Sequence, residues 1–118
     1  MAHNFKKLHV WVAGKDVAKA VYLLSKKLPD DEKYGLVSQI RRSAISIPSN
    51  IAEGSSRHSE KDYNRFLEFS LGSSFELETQ YLIAKQVNFG DQQLISTGLQ
   101  MLDEEQKMLM SFMNKLNK

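Results

Sequence analysis

The chain has 118 residues, no cysteine and a nearly balanced charge, with 16 Lys and Arg against 14 Asp and Glu. This length and a hydrophobic fraction of 42% are typical of one globular domain with its own core, so residues 1–118 are predicted to form a single domain. The sequence excludes disulfides and thiolate metal sites, and it has neither a signal peptide nor a membrane-length apolar stretch, so we expect a cytoplasmic protein without a membrane partner.

Four helical segments follow one another along the chain, separated by three short breaks at 28–31, 54–59 and 88–91. Ser59 and Asp91 stand where the third and fourth segments begin, and we predict both as N-caps. Connections this short make consecutive helices antiparallel neighbours. The predicted fold class is therefore all-α, an antiparallel up-down-up-down four-helix bundle.

Apolar or small residues recur at three- to four-residue spacing in each segment, which predicts one buried stripe per helix. The predicted stripes are Val10, Ala13, Val17, Ala20, Val21, Leu24 and Leu28; Val37, Ile40, Ala44, Ile47 and Ile51; Tyr63, Phe66, Ser70, Ser73, Leu77, Tyr81 and Ala84; and Ile95, Leu99, Leu102, Leu109, Met113 and Leu116. Pro48 interrupts the second pattern. We expect a helix kinked at Pro48 rather than two helices, because the stripe keeps its phase across the proline.

The third helix has more apolar surface than a four-helix core can use. With Phe66 pointing inward, a second stripe projects about 140–180° away, at 100° per residue. Single surface apolar residues are normal, but a contiguous patch is typical of an interaction site. We therefore predict a homo-oligomer whose interface includes Leu71, Phe75 and Leu82, flanked by Ile45 and Ala52 of the second helix.

The polar face of the second helix indicates a binding surface. Arginine side chains on such a face can take phosphates in a bidentate manner, which favours nucleic acid as a partner. The candidate phosphate-binding residues are Arg41, Arg42, Arg57, Lys61 and Arg65, next to a polar cluster of Ser46, Asn50 and Glu53. Carboxylates interleave with these cations at Glu60, Asp62 and Glu68. The alternative is therefore a solvated face of mixed charge, or a polar rim around a subunit contact.

Catalytic patterns are missing from the sequence. The histidines lie in no metal-binding spacing of the HExxH or ExxH type. Glu76 and Glu78 are two residues apart and so face different sides of a helix, which prevents them from sharing a metal or a proton. The sequence also contains no nucleophile elbow and no glycine-rich phosphate loop. We therefore expect no enzyme activity, no metal and no cofactor.

Two long segments resemble a known family: QIRRSAISIPSNIAEGSSR at 39–57 and YNRFLEFSLGSSFELETQ at 63–80. They are similar to the bacterial four-helix-bundle proteins encoded in intervening sequences of 23S ribosomal RNA genes, and the likeness extends from Phe5 to about Leu116. The resemblance implies a homopentamer. It also implies kinship with accessory proteins of diversity-generating retroelements, basic barrels that bind nucleic acid and partner a reverse transcriptase. Pro48 belongs to the family motif.

These observations lead to three functional hypotheses. The first is a non-enzymatic oligomeric bundle that binds RNA or DNA through the outer faces of the second and third helices. The second is a structural or scaffolding oligomer that binds a protein partner. The third is a small-ligand or catalytic site at Asn50, Glu53 and Arg57, which requires a concave pocket at these residues. A steep salt dependence of affinity would distinguish the first hypothesis from the others.

Overall fold

A computed structural model describes residues 4–32 and 35–117, and within these ranges the chain forms four α-helices and two short 3-10 turns, without any strand. The helices are α1 (His9–Ser25), α2 (Leu36–Gly54), α3 (Glu60–Gln86) and α4 (Gln92–Leu116). The prediction of an all-α fold with four helices is confirmed.

The predicted caps at the starts of α3 and α4 are confirmed. Ser59 Oγ accepts a hydrogen bond from the Asp62 amide at 3.1 Å, and the Asp91 carboxylate accepts from the amides of Gln93 and Leu94 at 2.8 and 3.1 Å. The Leu94 amide is the main cause that lowers the pKa of Asp91 below its usual value. Gly90 has φ of +84°, a left-handed conformation that glycine adopts readily, and it turns the chain into α4.

The four helices enclose one core. Each helix contacts the next along the chain, and α1 also contacts α4, so the core is surrounded on all sides. The described residues measure 45 × 22 × 20 Å, close to the roughly 40 Å that a 27-residue helix such as α3 spans. No helix within the described residues has the length and apolarity needed to cross a membrane.

The predicted core stripes are right for α2 and partly wrong for α3. All five predicted residues of α2 are buried. In α3, Leu67 and Ser74 are fully buried, whereas the predicted Phe66 and Ser73 are half-buried. Both Phe66 and Leu67 satisfy a helical period, and the choice between them depends on where α2 lies. Ser70 lies one turn after both residues and donates a buried hydrogen bond to the Ile47 carbonyl of α2 at 2.8 Å, so it fixes α3 against α2 without choosing between them.

The stripes of α1 and α4 are narrower than predicted. Their apolar centres are buried, as expected, but five predicted residues are half-buried: Ala13, Ala20, Leu99, Met113 and Leu116. Pro48 lies inside α2, which is one helix from Leu36 to Gly54. The alternative of two separate helices is therefore wrong.

Candidate functional site

The predicted polar cluster lies along the seam between α2 and α3. Asn50 Nδ2 donates to the carbonyl and the hydroxyl of Ser46, each at 2.8 Å, and Ser73 of α3 donates to the same hydroxyl at 2.8 Å. Glu53, about one turn after Asn50 on α2, instead accepts a hydrogen bond at 2.8 Å from Arg57, which lies just beyond the end of the helix. Ser46 therefore joins the two helices, Asn50 supports Ser46 from within α2, and Glu53 belongs to a surface ion pair.

Glu76 and Glu78 reach different neighbouring helices, as their spacing predicts. The Ser43 hydroxyl of α2 lies 3.0 Å from Glu76 Oε1. On the other side of α3, Gln106 of α4 donates to Glu78 Oε1 at 2.9 Å. The two carboxylates thus connect α3 to both adjoining helices and do not form a pair.

Three of the predicted basic residues gather at the corner where α2 ends and α3 begins. The guanidinium of Arg57 lies 4.4 Å from the centre of the Phe66 ring, and that of Arg65 lies 5.6 Å from the centre of the Phe69 ring. The two rings stand edge to face, with their centres 5.6 Å apart. We call Arg57, Arg65, Phe66 and Phe69 the arginine–phenylalanine cluster. Lys61 lies one turn before Arg65 on α3.

Lys61 and Arg65 line a surface depression of about 830 Å³. Its other lining residues are Glu60, Asp62, Asn64, Glu68, Leu116 and Asn117. Cations and carboxylates therefore alternate in this depression, as predicted for the start of α3.

Arg41 and Arg42 lie away from this corner. Arg41 Nε donates to Ser25 Oγ of α1 at 2.9 Å, and its guanidinium lies 4.6 Å from the centre of the Tyr22 ring. Arg42 is exposed and donates to the Gln39 side chain of its own helix. At a rise of about 1.5 Å per residue, Arg42 stands roughly 18 Å before Gly54, the last residue of α2, and Arg57 lies beyond that end. The predicted basic site is thus divided into a corner and two separate arginines.

The residues predicted for the oligomer interface form two separate edges. Phe75, Leu82 and Ile45 are 49%, 47% and 44% exposed, whereas Leu71 and Ala52 are half-buried and Leu71 packs against the core. Phe75 and Leu82 flank Glu78, which contacts α4, so they lie on the α4 side of α3. Ile45 follows Arg41 by one turn and so lies on the α1 side of α2, as does Ala52, two turns after Ile45.

The core contains an ionisable side chain, Glu105, that the sequence analysis did not select. Glu105 of α4 is fully buried, and neither of its carboxyl oxygens has a hydrogen-bond partner among the described residues. Burial raises the pKa of Glu105 to about 8, so the carboxyl is predominantly protonated at neutral pH. The sequence contained the signal, because Glu105 falls between Leu102 and Leu109 on the apolar stripe of α4.

Two glycines make room for large or polar groups in this core. A Cβ atom on Gly14 of α1 would stand 2.6 Å from Glu105 Oε2, and one on Gly98 of α4 would stand 2.2 Å from the Tyr81 hydroxyl. Tyr81 is buried, its hydroxyl lacks a hydrogen-bond partner in the described part of the chain, and burial raises its pKa to about 12. The absence of a side chain at Gly14 and Gly98 therefore leaves the space that Glu105 and Tyr81 occupy.

Together these features define a four-helix protein with a hydrogen-bonded α2–α3 seam and a cationic, aromatic corner. Among the described residues, no three or more His, Asp or Glu side chains are grouped so as to hold a metal ion. The chain belongs to the 23S rRNA-intervening sequence protein family, whose pattern matches residues 6–111. This confirms the family resemblance seen in the sequence. A comparison with curated proteins found no significant match.

Proposed function

We propose that this chain is a non-enzymatic, homo-oligomeric helical bundle of the cytoplasm that binds RNA or DNA through the outer face of α2 and α3. The observation that carries this proposal is the gathering of Arg57, Lys61 and Arg65 at one exposed corner. Exposed guanidinium and ammonium groups suit phosphates, which project outward from a nucleic acid.

We further propose an up-down-up-down bundle in which α2 bends at Pro48. Hydrogen bonds or close contacts pair Ser43 with Gln80, Ser46 with Ser73 and Gly54 with Phe66. The residue numbers rise on α2 while they fall on α3, which supports antiparallel packing. The bend is supported by the chemistry of Pro48, which has no amide hydrogen to give to the Ala44 carbonyl one turn earlier.

The two apolar edges support assembly into a closed ring. A ring with one subunit repeated around an axis needs two different surfaces that fit each other, head to tail. Phe75 and Leu82 lie on the α4 side of α3, and Ile45 lies on the α1 side of α2, so the edges face away from each other. The number five comes from the family resemblance. Burying Phe75 between subunits would contribute about 1.5–3 kcal/mol.

Fluorescence anisotropy with labelled RNA and DNA at two salt concentrations tests the binding proposal. We expect binding at low salt that weakens steeply as salt rises, because phosphate contacts release counterions. Arg57→Ala combined with Lys61→Ala should reduce the slope of log affinity against log salt by about two units. Sequence changes in the probe should have little effect, because phosphate contacts do not distinguish bases.

The control for this experiment removes the same charge from another face. The control variant combines Lys19→Ala with Lys107→Ala. It matches the double variant at Arg57 and Lys61 because Lys107 forms an ion pair with Asp103, four residues earlier and 3.0 Å away, just as Arg57 does with Glu53. The control variant should keep the wild-type slope. Absence of wild-type binding at low salt would refute the proposal. Equal salt slopes in the Arg57/Lys61 variant and the control variant would show that the binding site is not at this corner.

Light scattering coupled to gel filtration tests the assembly. We expect one large species, and Phe75→Asp should shift the protein toward smaller species because a carboxylate is costly to bury. Glu104→Gln, an exposed change on α4, serves as a control for altered charge. A single 13.5 kDa species at tens of micromolar protein would contradict the proposed oligomer.

The second candidate is a scaffolding oligomer that binds a protein partner. The exposed Phe75 and Leu82 favour it, because an apolar edge that is not used for assembly remains available for another protein. Such binding would tolerate salt, whereas nucleic-acid binding would not. The salt series described above therefore decides between the two candidates.

A further inference from the structure

The arginine–phenylalanine cluster places aromatic rings on the surface where the fold does not need them. Phe69 is 46% exposed and points away from the core that Leu67 and Ser70, its neighbours on α3, enter. Phe66 is half-buried against the end of α2, where a Cβ atom on Gly54 would stand 2.9 Å from Phe66 Cβ. Phe66 is thus held in place by the helix junction, while much of Phe69 remains in contact with solvent.

The side chains around these rings are cationic as well as aromatic. Arg57 lies over Phe66 and Arg65 lies over Phe69, so each ring has a guanidinium within 4.4 to 5.6 Å of its centre. A guanidinium stacked on a ring is oriented, and less of its freedom is lost when it binds a phosphate. The cluster therefore offers a flat apolar ring and two guanidinium groups of fixed orientation at one corner.

This combination matches the chemistry of an unpaired nucleotide. Proteins that bind single strands combine a cationic surface for the backbone with aromatic rings on which bases stack. A duplex keeps its bases stacked on each other and presents mainly phosphates and sugars to a convex surface. An exposed Phe69 would add nothing to duplex binding but would add a stacking contact for a single strand.

We propose that the arginine–phenylalanine cluster is a stacking site for an unpaired base, with Phe69 as the platform and Arg57 and Arg65 as the phosphate contacts. The chain then binds single-stranded RNA or DNA in preference to duplex. This inference rests on the proposed nucleic-acid function and narrows its substrate class. A second copy of the chain is the other occupant that this corner could take, and the size of the assembly in each variant tests for it.

The test compares a labelled single strand of 15 nucleotides with the duplex of the same sequence, by anisotropy at low salt. We expect the wild type to bind the single strand more tightly. Phe69→Leu keeps an apolar side chain but removes the ring, and it should weaken single-strand binding about tenfold, because stacking is worth roughly 1–3 kcal/mol per base. The same variant should leave duplex affinity unchanged.

Two further variants make the result specific. Phe69→Tyr keeps a ring of the same size and should bind the single strand within about twofold of the wild type. Met110→Ala removes an apolar side chain of similar exposure, 44% against 46%, from α4, and should leave single-strand affinity unchanged. Light scattering on each variant shows whether the assembly is intact.

The outcomes separate this inference from the function on which it rests. If the wild type binds neither probe at low salt, the proposed function fails and the stacking site falls with it. If the wild type binds both probes equally and Phe69→Leu binds as the wild type does, the stacking site is refuted while the nucleic-acid function stands. If Phe69→Leu changes the size of the assembly, the cluster is a contact between copies and the inference is overturned.

Discussion

The core around Glu105 and the arginine–phenylalanine cluster both depart from the usual distribution of polarity, in opposite directions. Glu105 is a carboxylic acid with 0% exposure and no hydrogen-bond partner among the described residues. Phe69 is a large apolar ring with 46% exposure beside Arg65. The first region buries a polar carboxyl group, and the second exposes an apolar ring to water.

Because of this difference, substitutions in the two regions should affect different properties of the protein. Burying a polar group without a partner costs stability, and the cost changes whenever the group is altered. A single exposed ring costs little, because much of any protein surface is apolar. Changes near Glu105 should therefore alter the free energy of unfolding, whereas changes near Phe69 should alter binding and leave stability almost unchanged.

The largest expected effect is a loss of stability as pH rises. Burial raises the pKa of Glu105 to about 8 in the folded protein from an ordinary value of 4.5. Between these values the folded chain holds a proton that the unfolded chain has lost, so the contribution of Glu105 to stability is fully present below pH 4.5 and is lost as pH rises to about 8. The expected slope within this window approaches ~1.4 kcal/mol per pH unit, measured by urea unfolding at constant protein concentration.

Glu105→Gln is the matched variant for the pH experiment. The amide has nearly the same shape and does not titrate, so the decline assigned to Glu105 should be absent in this variant. Parallel pH profiles for the variant and the wild type would show that Glu105 is not the group responsible.

A smaller but still large effect is expected from filling the space at Gly98. A Cβ atom there would stand 2.4 Å from Tyr81 Cζ, and Tyr81 is a buried ring with little room to move. Gly98→Ala should therefore destabilise the protein by about 3 kcal/mol in urea unfolding.

Gly72→Ala is the opposite case on the surface. Apart from its two chain neighbours and the adjoining backbone of α3, no atom of the described residues lies within 4 Å of the added Cβ. Alanine should stabilise the middle of α3 by about 0.5–1 kcal/mol, because it is the better helix former. Equal effects at Gly98 and Gly72 would contradict the close packing of Tyr81 against α4.

The smallest expected effect on stability comes from Phe69→Leu. The ring is nearly half exposed, so its replacement by another apolar side chain should change the free energy of unfolding by less than about 1 kcal/mol. Thermal unfolding followed by circular dichroism measures this change. A loss of several kcal/mol would mean that Phe69 supports the fold, and the contrast between the two regions would disappear.

The sequence by itself determined the helical class, the starts of α3 and α4 and the buried stripe of α2. These features are local, because a cap bonds to amides two or three residues away and a helical period places residues on one face. Ser59 and Asp91 cap the predicted helices, and Ile47 and Ile51 are buried as expected. The resemblance carried by 39–57 and 63–80 determined the family in the same way, from consecutive residues.

Only the tertiary structure decided which of two adjacent apolar residues enters the core and which polar groups find partners. Leu67 is buried and Phe66 is half-buried, although both lie one turn before Ser70 and satisfy the same local period. Arg41 leaves the predicted basic face because Ser25 and Tyr22 of α1 lie within its reach. Such outcomes depend on residues far apart in the chain, and their distances are set when the helices pack, not by the spacing within any one helix.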